Sequence, residues 1–208
     1  MNITVVDALG KACPIPVVMT KKALAELTEP GTLKVLVDNE TAVQNVSRLA
    51  TGKNYKNGCE KTEDGNFAIT IEVDDLTKAA TDEETAAPAE GPMVVSIGSD
   101  HMGEGDPELG KALMKAFIFA VSQQDKLPDT ILFYNGGAKL TCEGSASLED
   151  IQKMADAGVE IMTCGTCLNF YGIADTLKVG IVTNMYSIVE KLEKASRVVS
   201  PDERRENA

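Results

Sequence analysis

The sequence predicts an α/β protein with two domains, a two-layer βαβαββ sandwich followed by a doubly wound parallel sheet. Three observations support this prediction. The 208 residues suffice for two small domains. Residues 1–76 and 93–196 each combine short β-branched runs with helical periodicity. Between them, residues 77–92 are small, acidic and interrupted by Pro and Gly, as in a flexible linker, although Ala and Glu would also suit a short exposed helix.

The first domain is predicted to contain four strands and two helices. The strands are Ile3–Val6, Leu33–Val37, Tyr55–Thr62 and Phe67–Val73, the last two forming a hairpin about Asp64-Gly65, and the helices are Pro14–Leu27 and Glu40–Ala50. In the last strand Ile69, Ile71 and Val73 alternate with polar residues, so one face of the sheet is buried. This order places two helices on one face of the sheet.

The second domain alternates strands and helices strictly. The strands are Met93–Ile97, Ile131–Tyr134, Val159–Met162 and Val179–Val182. Asp106 caps the first helix and Pro107 begins it. The expected inward faces of the three helices are Leu109, Leu113, Ala116, Phe117 and Ala120, then Leu148, Ile151, Met154 and Ala155 before a stop at Gly158, then Met185, Ile188, Val189 and Leu192. Such alternation predicts a parallel sheet with its chemistry at the carboxyl ends of the strands. Residues 197–208 are predicted to be a charged tail.

The composition disfavours several classes of protein. A net charge of -12 repels the phosphates of nucleic acids and anionic lipid surfaces, so neither is an expected partner. No apolar run reaches the roughly 18 residues that span a membrane. The N-terminus lacks the basic start and apolar centre of a signal peptide, which predicts a cytoplasmic protein. The five cysteines would then be mostly reduced and of interest as thiols.

The first chemical motif is Cys13-Pro14-Ile15-Pro16. Proline is favoured as the first residue of a helix, which predicts that Pro14 and Pro16 belong to a helix start with Cys13 at the cap. There the sulfur would face free amides and the positive end of the helix dipole, which stabilise a nucleophilic thiolate. The alternative is a buried structural cysteine, because free Cys is among the most buried residue types.

The residues around this motif resemble the TusA/SirA-like family. The resemblance rests on the run from Val6 to Pro16, on Lys21-Lys22-Ala23-Leu24 and on Asp38-Asn39, and it extends over roughly residues 1–75. It implies a sulfur-carrier domain in which Cys13 bears a persulfide. The partners implied are a cysteine desulfurase or another persulfide or selenium donor, and a downstream acceptor protein.

The second motif is Cys164-Gly165-Thr166-Cys167, which follows the third strand of the second domain. Three interpretations compete: a redox dithiol, half of a zinc site, or a persulfide acceptor with a helper thiol. A structural zinc site needs four Cys or His ligands, and this domain offers only His101 and Cys142 in addition. Neither a metal nor a cofactor is therefore predicted. Lys139 follows the second strand of this domain, and its side chain either points toward Cys164 or is solvated. The Cys142 thiol either approaches Cys164 or packs in the core.

Residues 93–194 resemble a DsrE/DsrF-like domain, whose fold is flavodoxin-like. The resemblance rests on the segments Met93–Gly98, Phe133–Ala138 and Gly158–Cys164. The resemblance implies that Cys164 is the active cysteine and that the domain forms homo-oligomers. Cys167 has no counterpart to carry over, which leaves it a resolving or disulfide-forming role.

A TusA-like domain joined to a DsrE-like domain resembles the YedF group of sulfurtransferase-like proteins, which is linked to selenium metabolism. The predicted function is a persulfide or perselenide carrier in which Cys13 accepts sulfur and Cys164 is the second acceptor. The linker would let Cys13 reach Cys164 within one chain. The alternatives are a thiol-disulfide redox protein using Cys164 and Cys167, and a non-catalytic adaptor in sulfur or selenium trafficking. Cys59 is expected to have no role.

Overall fold

The structure, a computed structural model, describes residues 2–76 and 91–201, and these fall into two compact units. The predicted linker, residues 77–92, lies outside the described residues apart from its last two. Within the described ranges, no helix has the length and apolar character needed to cross a membrane.

The N-terminal unit has the predicted βαβαββ order. Its elements are β1 (Ile3–Asp7), α1 (Ile15–Glu26), β2 (Gly31–Val37), α2 (Glu40–Gly52), β3 (Lys56–Lys61) and β4 (Phe67–Val73). The sheet order is β1-β2-β4-β3, with β1 parallel to β2 and the remaining pairs antiparallel. Because β1 and β2 are parallel, their carboxyl ends meet at the same edge of the sheet.

The core of this unit lies between the helices and one face of the sheet. The buried side chains include Leu24, Leu33, Val35, Val37, Val46, Ala50, Ile69, Ile71 and Val73. The predicted burial of Ile69, Ile71 and Val73 is confirmed, with each exposed by 2% or less. Fully burying one such side chain contributes about 1.5–3 kcal/mol, so this face holds the helices in place.

The C-terminal unit has a sheet of five parallel strands in the order β8-β7-β6-β5-β9. The strands are β5 (Met93–Ile97), β6 (Thr130–Phe133), β7 (Glu160–Cys164), β8 (Ile181–Thr183) and β9 (Arg197–Val199). The helices are α3 (Pro107–Ser122), α4 (Leu148–Asp156), α5 (Gly165–Tyr171) and α6 (Met185–Lys194), with 3-10 turns at Asn135–Thr141 and Ala174–Thr176.

Helices cover both faces of this sheet, which confirms the doubly wound prediction. Side chains that alternate along the strands belong to two different apolar clusters. On one face Val95, Ile97, Ile131, Phe133 and Ile161 pack with Met114 and Ile118 of α3 and with Ile151 and Met154 of α4. On the other face Val94, Leu132, Met162 and Cys164 pack with Ile188 and Leu192 of α6. The sheet therefore buries both sides of its central strands.

Two helix ends follow the sequence signals. Asp106 accepts hydrogen bonds from the amides of Glu108 and Leu109, both at 2.9 Å, and Pro107 begins α3. After α4, Gly158 takes a φ of +97°, a left-handed conformation that glycine adopts without strain. Both the predicted cap and the predicted stop are confirmed.

Three sequence predictions were wrong in this unit. On α6, Met185 and Val189 were expected to face inward but are 57% and 44% exposed, because Ile188 and Leu192 make the contacts with the sheet. Residues 197–199, assigned to the charged tail, form strand β9 beside β5, because the short run is an edge strand with little alternation to mark it. The predicted inward face of α3 included Leu109 and Leu113, which are 58% and 42% exposed, whereas Met114 and Ile118 are buried. The apolar residues of α3 occur on all sides of the helix, so periodicity alone could not identify its buried face.

Candidate functional site

Cys13 lies in the loop that joins β1 to α1, and this loop is fastened to the end of β2. Gly10 has a φ of +67°, and its amide donates to Asp38 Oδ2 at 2.8 Å. The Asn39 side-chain amide donates to Asp38 Oδ1 at 2.7 Å. These two hydrogen bonds, first from Asn39 and then from Gly10, hold the pKa of the Asp38 carboxyl below its usual value. A charged Asp38 therefore ties the two loops together at the edge where the parallel strands end.

Helix α1 begins one residue later than predicted. Pro14 is the cap, and its carbonyl accepts from the amides of Val17 at 3.1 Å and Val18 at 3.2 Å. Pro16 then occupies the first turn, and Cys13 lies outside the helix, immediately before the cap. Because Pro14 supplies the first accepting carbonyl, the proposed capping by the Cys13 thiol does not occur. The two prolines still fix the backbone that presents Cys13.

The Cys13 thiol is exposed and faces the start of α2. The Asn45 side-chain amide donates to the Cys13 sulfur at 3.9 Å, a long contact that suits a sulfur acceptor. A cleft with about 20 Å³ of room adjoins the sulfur, and Cys13, Pro16, Val17, Asn39, Thr41, Ala42 and Asn45 line it. Asn39 caps α2 by accepting from the Ala42 amide at 2.9 Å. Sequence reasoning missed Asn45; the capping residue Asn39 was the only signal for this surface.

Cys59 is the other exposed thiol of this unit and lies on the edge strand β3. Partial burial, and then the neighbouring Glu60 carboxylate, raise the pKa of the Cys59 thiol. A raised pKa leaves less thiolate at neutral pH, so Cys59 is a weaker nucleophile than its exposure suggests. Because Cys59 is exposed and lies in the same unit as Cys13, it provides a matched control thiol.

The second pair of cysteines lies where β7 passes directly into α5. Cys164 is the last residue of β7 and the residue before α5, and it is 2% exposed. Gly165 follows, and a Cβ there would lie 2.8 Å from the Val182 Cγ1 atom. Glycine at this position therefore lets α5 begin against β8. Residues three apart lie on the same side of a helix, so the Cys167 side chain lies on the same side of α5 as Cys164.

Cys167 is half-buried, and its sulfur accepts the backbone amide of Asn135 at 3.0 Å. Asn135 has a φ of +46°, and its side-chain oxygen accepts the Tyr171 hydroxyl at 3.2 Å. Burial first, and then a hydrogen bond with Cys164, raise the pKa of the Cys167 thiol, while the Asn135 amide opposes both effects. The two thiols lie against one apolar cluster, and a negative charge on one disfavours a charge on the other.

Cys142 packs in a small apolar cluster with Ala138 and Leu168, and Cys167 borders this cluster. Its thiol is 3% exposed and donates to the carbonyls of Ala138 at 3.4 Å and Ile173 at 3.9 Å. These contacts are typical of a buried structural cysteine whose thiol has hydrogen-bond acceptors. The packing alternative for Cys142 therefore fits the structure better than an approach to Cys164.

Lys139 contacts Asp100 and Tyr171. Its ammonium lies 3.4 Å from Asp100 Oδ2 and 4.7 Å from the centre of the Tyr171 ring. His101 Nδ1 lies 2.9 Å from Asp100 Oδ1. Burial would raise the pKa of Asp100, but the hydrogen bond with His101 and the charge of Lys139 together lower it. Over residues 2–76 and 91–201, no group of His, Cys, Asp and Glu forms a metal-binding cluster.

The N-terminal unit matches known proteins over nearly its whole length. The family model described as Sulfurtransferase TusA matches residues 4–73. MJ0990 of Methanocaldococcus jannaschii, a candidate sulfur carrier protein, is 38% identical over 65 residues, which are 31% of this chain and 87% of that protein. The chain belongs to the TusA family. The matched stretch of this TusA-family protein contains Cys13, Asp38 and Asn45, and family membership supports a sulfur-carrier role.

Solved structures also resemble parts of this TusA-family chain. A SirA-like protein from Desulfitobacterium hafniense is 44% identical, with 34% of this chain and 96% of that chain covered and a TM-score of 0.32. MTH1491 from Methanobacterium thermoautotrophicum, a protein of unknown function, is 18% identical. The match covers 52% of this chain and 97% of that chain, with a TM-score of 0.40.

Proposed function

We propose that this protein carries sulfur as a persulfide on Cys13. The observation that carries the proposal is an exposed thiol, contacted by Asn45, inside the stretch that matches the TusA family. In the transfer step the Cys13 thiolate attacks the terminal sulfur of a donor persulfide. A new bond forms to the Cys13 sulfur, and the donor cysteine leaves as a thiolate.

The test is loading by a cysteine desulfurase with cysteine as the sulfur source, followed by peptide mass mapping. Cys13 should gain the mass of one sulfur atom. The matched variants are Cys13→Ser and Cys59→Ser, because Cys59 is the second exposed thiol of the same unit. Cys13→Ser should abolish loading of this unit, and Cys59→Ser should leave it intact. Equal loading of the Cys13→Ser chain would refute the proposal.

We further propose that the C-terminal unit is a DsrE-like domain that receives this sulfur, with Cys164 in the accepting pair. Support comes from the placement of the pair at the carboxyl end of β7, where doubly wound sheets carry their chemistry. The residues 77–92 that join the units would make the transfer intramolecular. The combination of domains also suggests membership of the YedF group, a cytoplasmic location and a selenium cargo. Parallel loading with selenium and sulfur donors would decide the cargo.

A second candidate function is thiol-disulfide exchange by Cys164 and Cys167. The packing of Cys167 against the apolar cluster that contains Cys164 favours it, because a disulfide requires two sulfurs close together. A redox titration with mass detection would reveal a reversible Cys164–Cys167 disulfide with a defined potential. Failure of the two sulfurs to pair under mild oxidant would eliminate this candidate.

The C-terminal unit is also proposed to form a homo-oligomer. Five apolar side chains on β8 and the first turns of α6 are exposed by 44% to 80%: Ile181, Val182, Met185, Tyr186 and Val189. Exposed apolar side chains gathered in one place are typical of protein interfaces. Light scattering of the intact chain should therefore give a mass above that of one chain, and Tyr186→Glu should lower it. A monomer at micromolar concentration would contradict this part of the proposal.

A further inference from the structure

We propose that the Cys164–Cys167 pair discharges sulfur as hydrosulfide, with Cys167 receiving the sulfur and Cys164 displacing it by forming a disulfide. The inference deepens the proposed function, since it concerns what becomes of sulfur that reaches the C-terminal unit. It assigns different tasks to the two thiols, whereas the sequence singled out Cys164 as the acceptor.

The entry of sulfur at Cys167 follows from exposure. Cys164 is 2% exposed and packs against Met162 and Ile188 between the sheet and α6, so an external persulfide cannot reach it without an opening of the unit. Cys167 is half-buried and borders two apolar clusters. An incoming persulfide therefore meets Cys167 first, because thiol exchange requires access to the attacking sulfur.

The backbone of Asn135 is placed to assist this step. Its amide points at the Cys167 sulfur with an N···S distance of 3.0 Å. Asn135 is held in a left-handed conformation, and the Tyr171 hydroxyl fixes its side chain. A backbone amide aimed at the sulfur stabilises negative charge as it develops there. It thus offsets part of the burial that disfavours the Cys167 thiolate.

The resolving role of Cys164 follows from its contact with Cys167. Cys167 packs against the apolar cluster that contains Cys164, so a persulfide on Cys167 has a second thiol beside it. Burial also keeps Cys164 from reacting with outside thiols or oxidants. Cys142 also lies in an apolar cluster that Cys167 borders, but its thiol is directed at the carbonyls of Ala138 and Ile173, and the Cys142→Ser variant tests it as a competing partner.

The discharge step balances without an external oxidant. The Cys164 thiolate attacks the inner sulfur of the Cys167 persulfide and forms the Cys164–Cys167 disulfide. The bond to the terminal sulfur breaks, and that sulfur leaves with the electron pair as hydrosulfide. The two cysteine sulfurs lose two electrons together, and the terminal sulfur gains them. The Cys164 proton passes to solvent, and a dithiol reductant later restores both thiols.

The test uses the full chain with Cys13→Ser and Cys59→Ser, and inorganic polysulfide as the sulfur donor. Both exposed thiols of the N-terminal unit are then absent, so delivery by Cys13 is not required. After rapid removal of excess donor, this parent chain should release one equivalent of sulfide. Intact mass should show the loss of two hydrogens, and peptide mapping should place the disulfide between Cys164 and Cys167.

Three further substitutions in this parent chain assign the roles. Cys164→Ser should retain one extra sulfur atom on Cys167 and release no sulfide, and Cys164→Ala should agree if serine perturbs the core. Cys167→Ser should take up no sulfur under folded conditions. Cys142→Ser, which removes the neighbouring thiol, should discharge like the parent.

Two results would overturn the inference. One is sulfide release from the Cys164→Ser and Cys164→Ala chains at the parent rate. The other is stable loading of Cys164 in the folded Cys167→Ser chain, which would reverse the order of the two thiols. Failure of a desulfurase to load Cys13 would refute the carrier proposal and leave this result untouched.

Discussion

The two thiol sites occupy similar places in their units but differ in exposure. Cys13 follows a parallel strand, Cys164 ends one, and each precedes a helix. In the N-terminal unit the residues from Ala8 to Pro14 separate the strand from the helix, and Cys13 lies at the surface. In the C-terminal unit α5 begins immediately after β7, and Cys164 remains in the core. The length of the connection therefore decides whether the thiol is presented or shielded.

This difference fits the two proposed tasks. A carrier thiol must meet several partners, and the loop of Cys13 is exposed yet fixed by the Gly10–Asp38 hydrogen bond. A discharging pair must exclude competing thiols, which the burial of Cys164 achieves. The comparison leads to four predictions, taken in order of decreasing effect.

Alkylation of the folded chain should separate the exposed cysteines from the buried ones. Cys13 should react with iodoacetamide at least about a hundredfold faster than Cys164, because a buried thiol reacts only through local opening. Cys59 is the exposed control and Cys142 the buried control. Time-resolved peptide mapping measures all four thiols in one sample. Equal rates for Cys13 and Cys164 would remove the contrast between the two sites.

Leu168→Ala should weaken the shielding of the second site. Leu168 is 1% exposed and packs with Ala138 and Cys142, so truncation should lower the free energy of unfolding by about 2–5 kcal/mol. Urea denaturation of the intact chain measures this loss. Alkylation of Cys164 should quicken in parallel.

The matched control for that substitution is Phe170→Ala in the same helix. Phe170 is 82% exposed, so its removal should change the free energy of unfolding by no more than about 0.5 kcal/mol. Equal destabilisation by the two substitutions would show that α5 does not shield the site through Leu168.

Alkylation of Cys167 should depend steeply on pH. Because its pKa is raised above the ordinary thiol value, neutral solution lies below that pKa, and the thiolate fraction rises about tenfold for each pH unit. The rate should therefore keep rising between neutral pH and pH values above about 8.5, the ordinary thiol pKa. Cys164→Ser removes the neighbouring thiol and should shift this profile. A plateau reached at neutral pH would contradict the raised pKa.

Asn45→Ala should slow the loading of Cys13 by a desulfurase. The long, exposed contact to the sulfur is expected to contribute about 0.5–1 kcal/mol, equivalent to roughly a two- to fivefold change in rate. Gln44→Ala, an exposed neighbour on α2, serves as the control. Identical loading rates for the two variants would exclude a role for the Asn45 amide.

The sequence predicted strongly periodic elements well. Strand β4 was recognisable because Ile69, Ile71 and Val73 alternate, and α3 because Asp106 and Pro107 mark its start. Prediction of secondary structure from the sequence failed where an element is too short to show a clear pattern. Strand β9 is short and contains Arg197, and α5 has only seven residues and begins inside the cysteine motif.

The site was predictable only in its cysteines. The positions of Cys13 and Cys164 at the carboxyl ends of strands follow from local sequence, but their neighbours do not. Asn45 reaches Cys13 from another helix, and Asn135 reaches Cys167 from the loop after β6. Such contacts depend on tertiary packing between residues far apart in sequence. The difference in exposure between Cys13 and Cys164 likewise emerged only from the fold.

In the proposed relay, sulfur is carried by Cys13 before it reaches the C-terminal pair. The direct measurement is a rapid-quench time course with a cysteine desulfurase and peptide mapping of the intact chain. The added sulfur should appear first on Cys13, sulfide and the Cys164–Cys167 disulfide should follow, and Cys13→Ser should abolish both. Loading of Cys164 or Cys167 at an unchanged rate in the Cys13→Ser chain would contradict it.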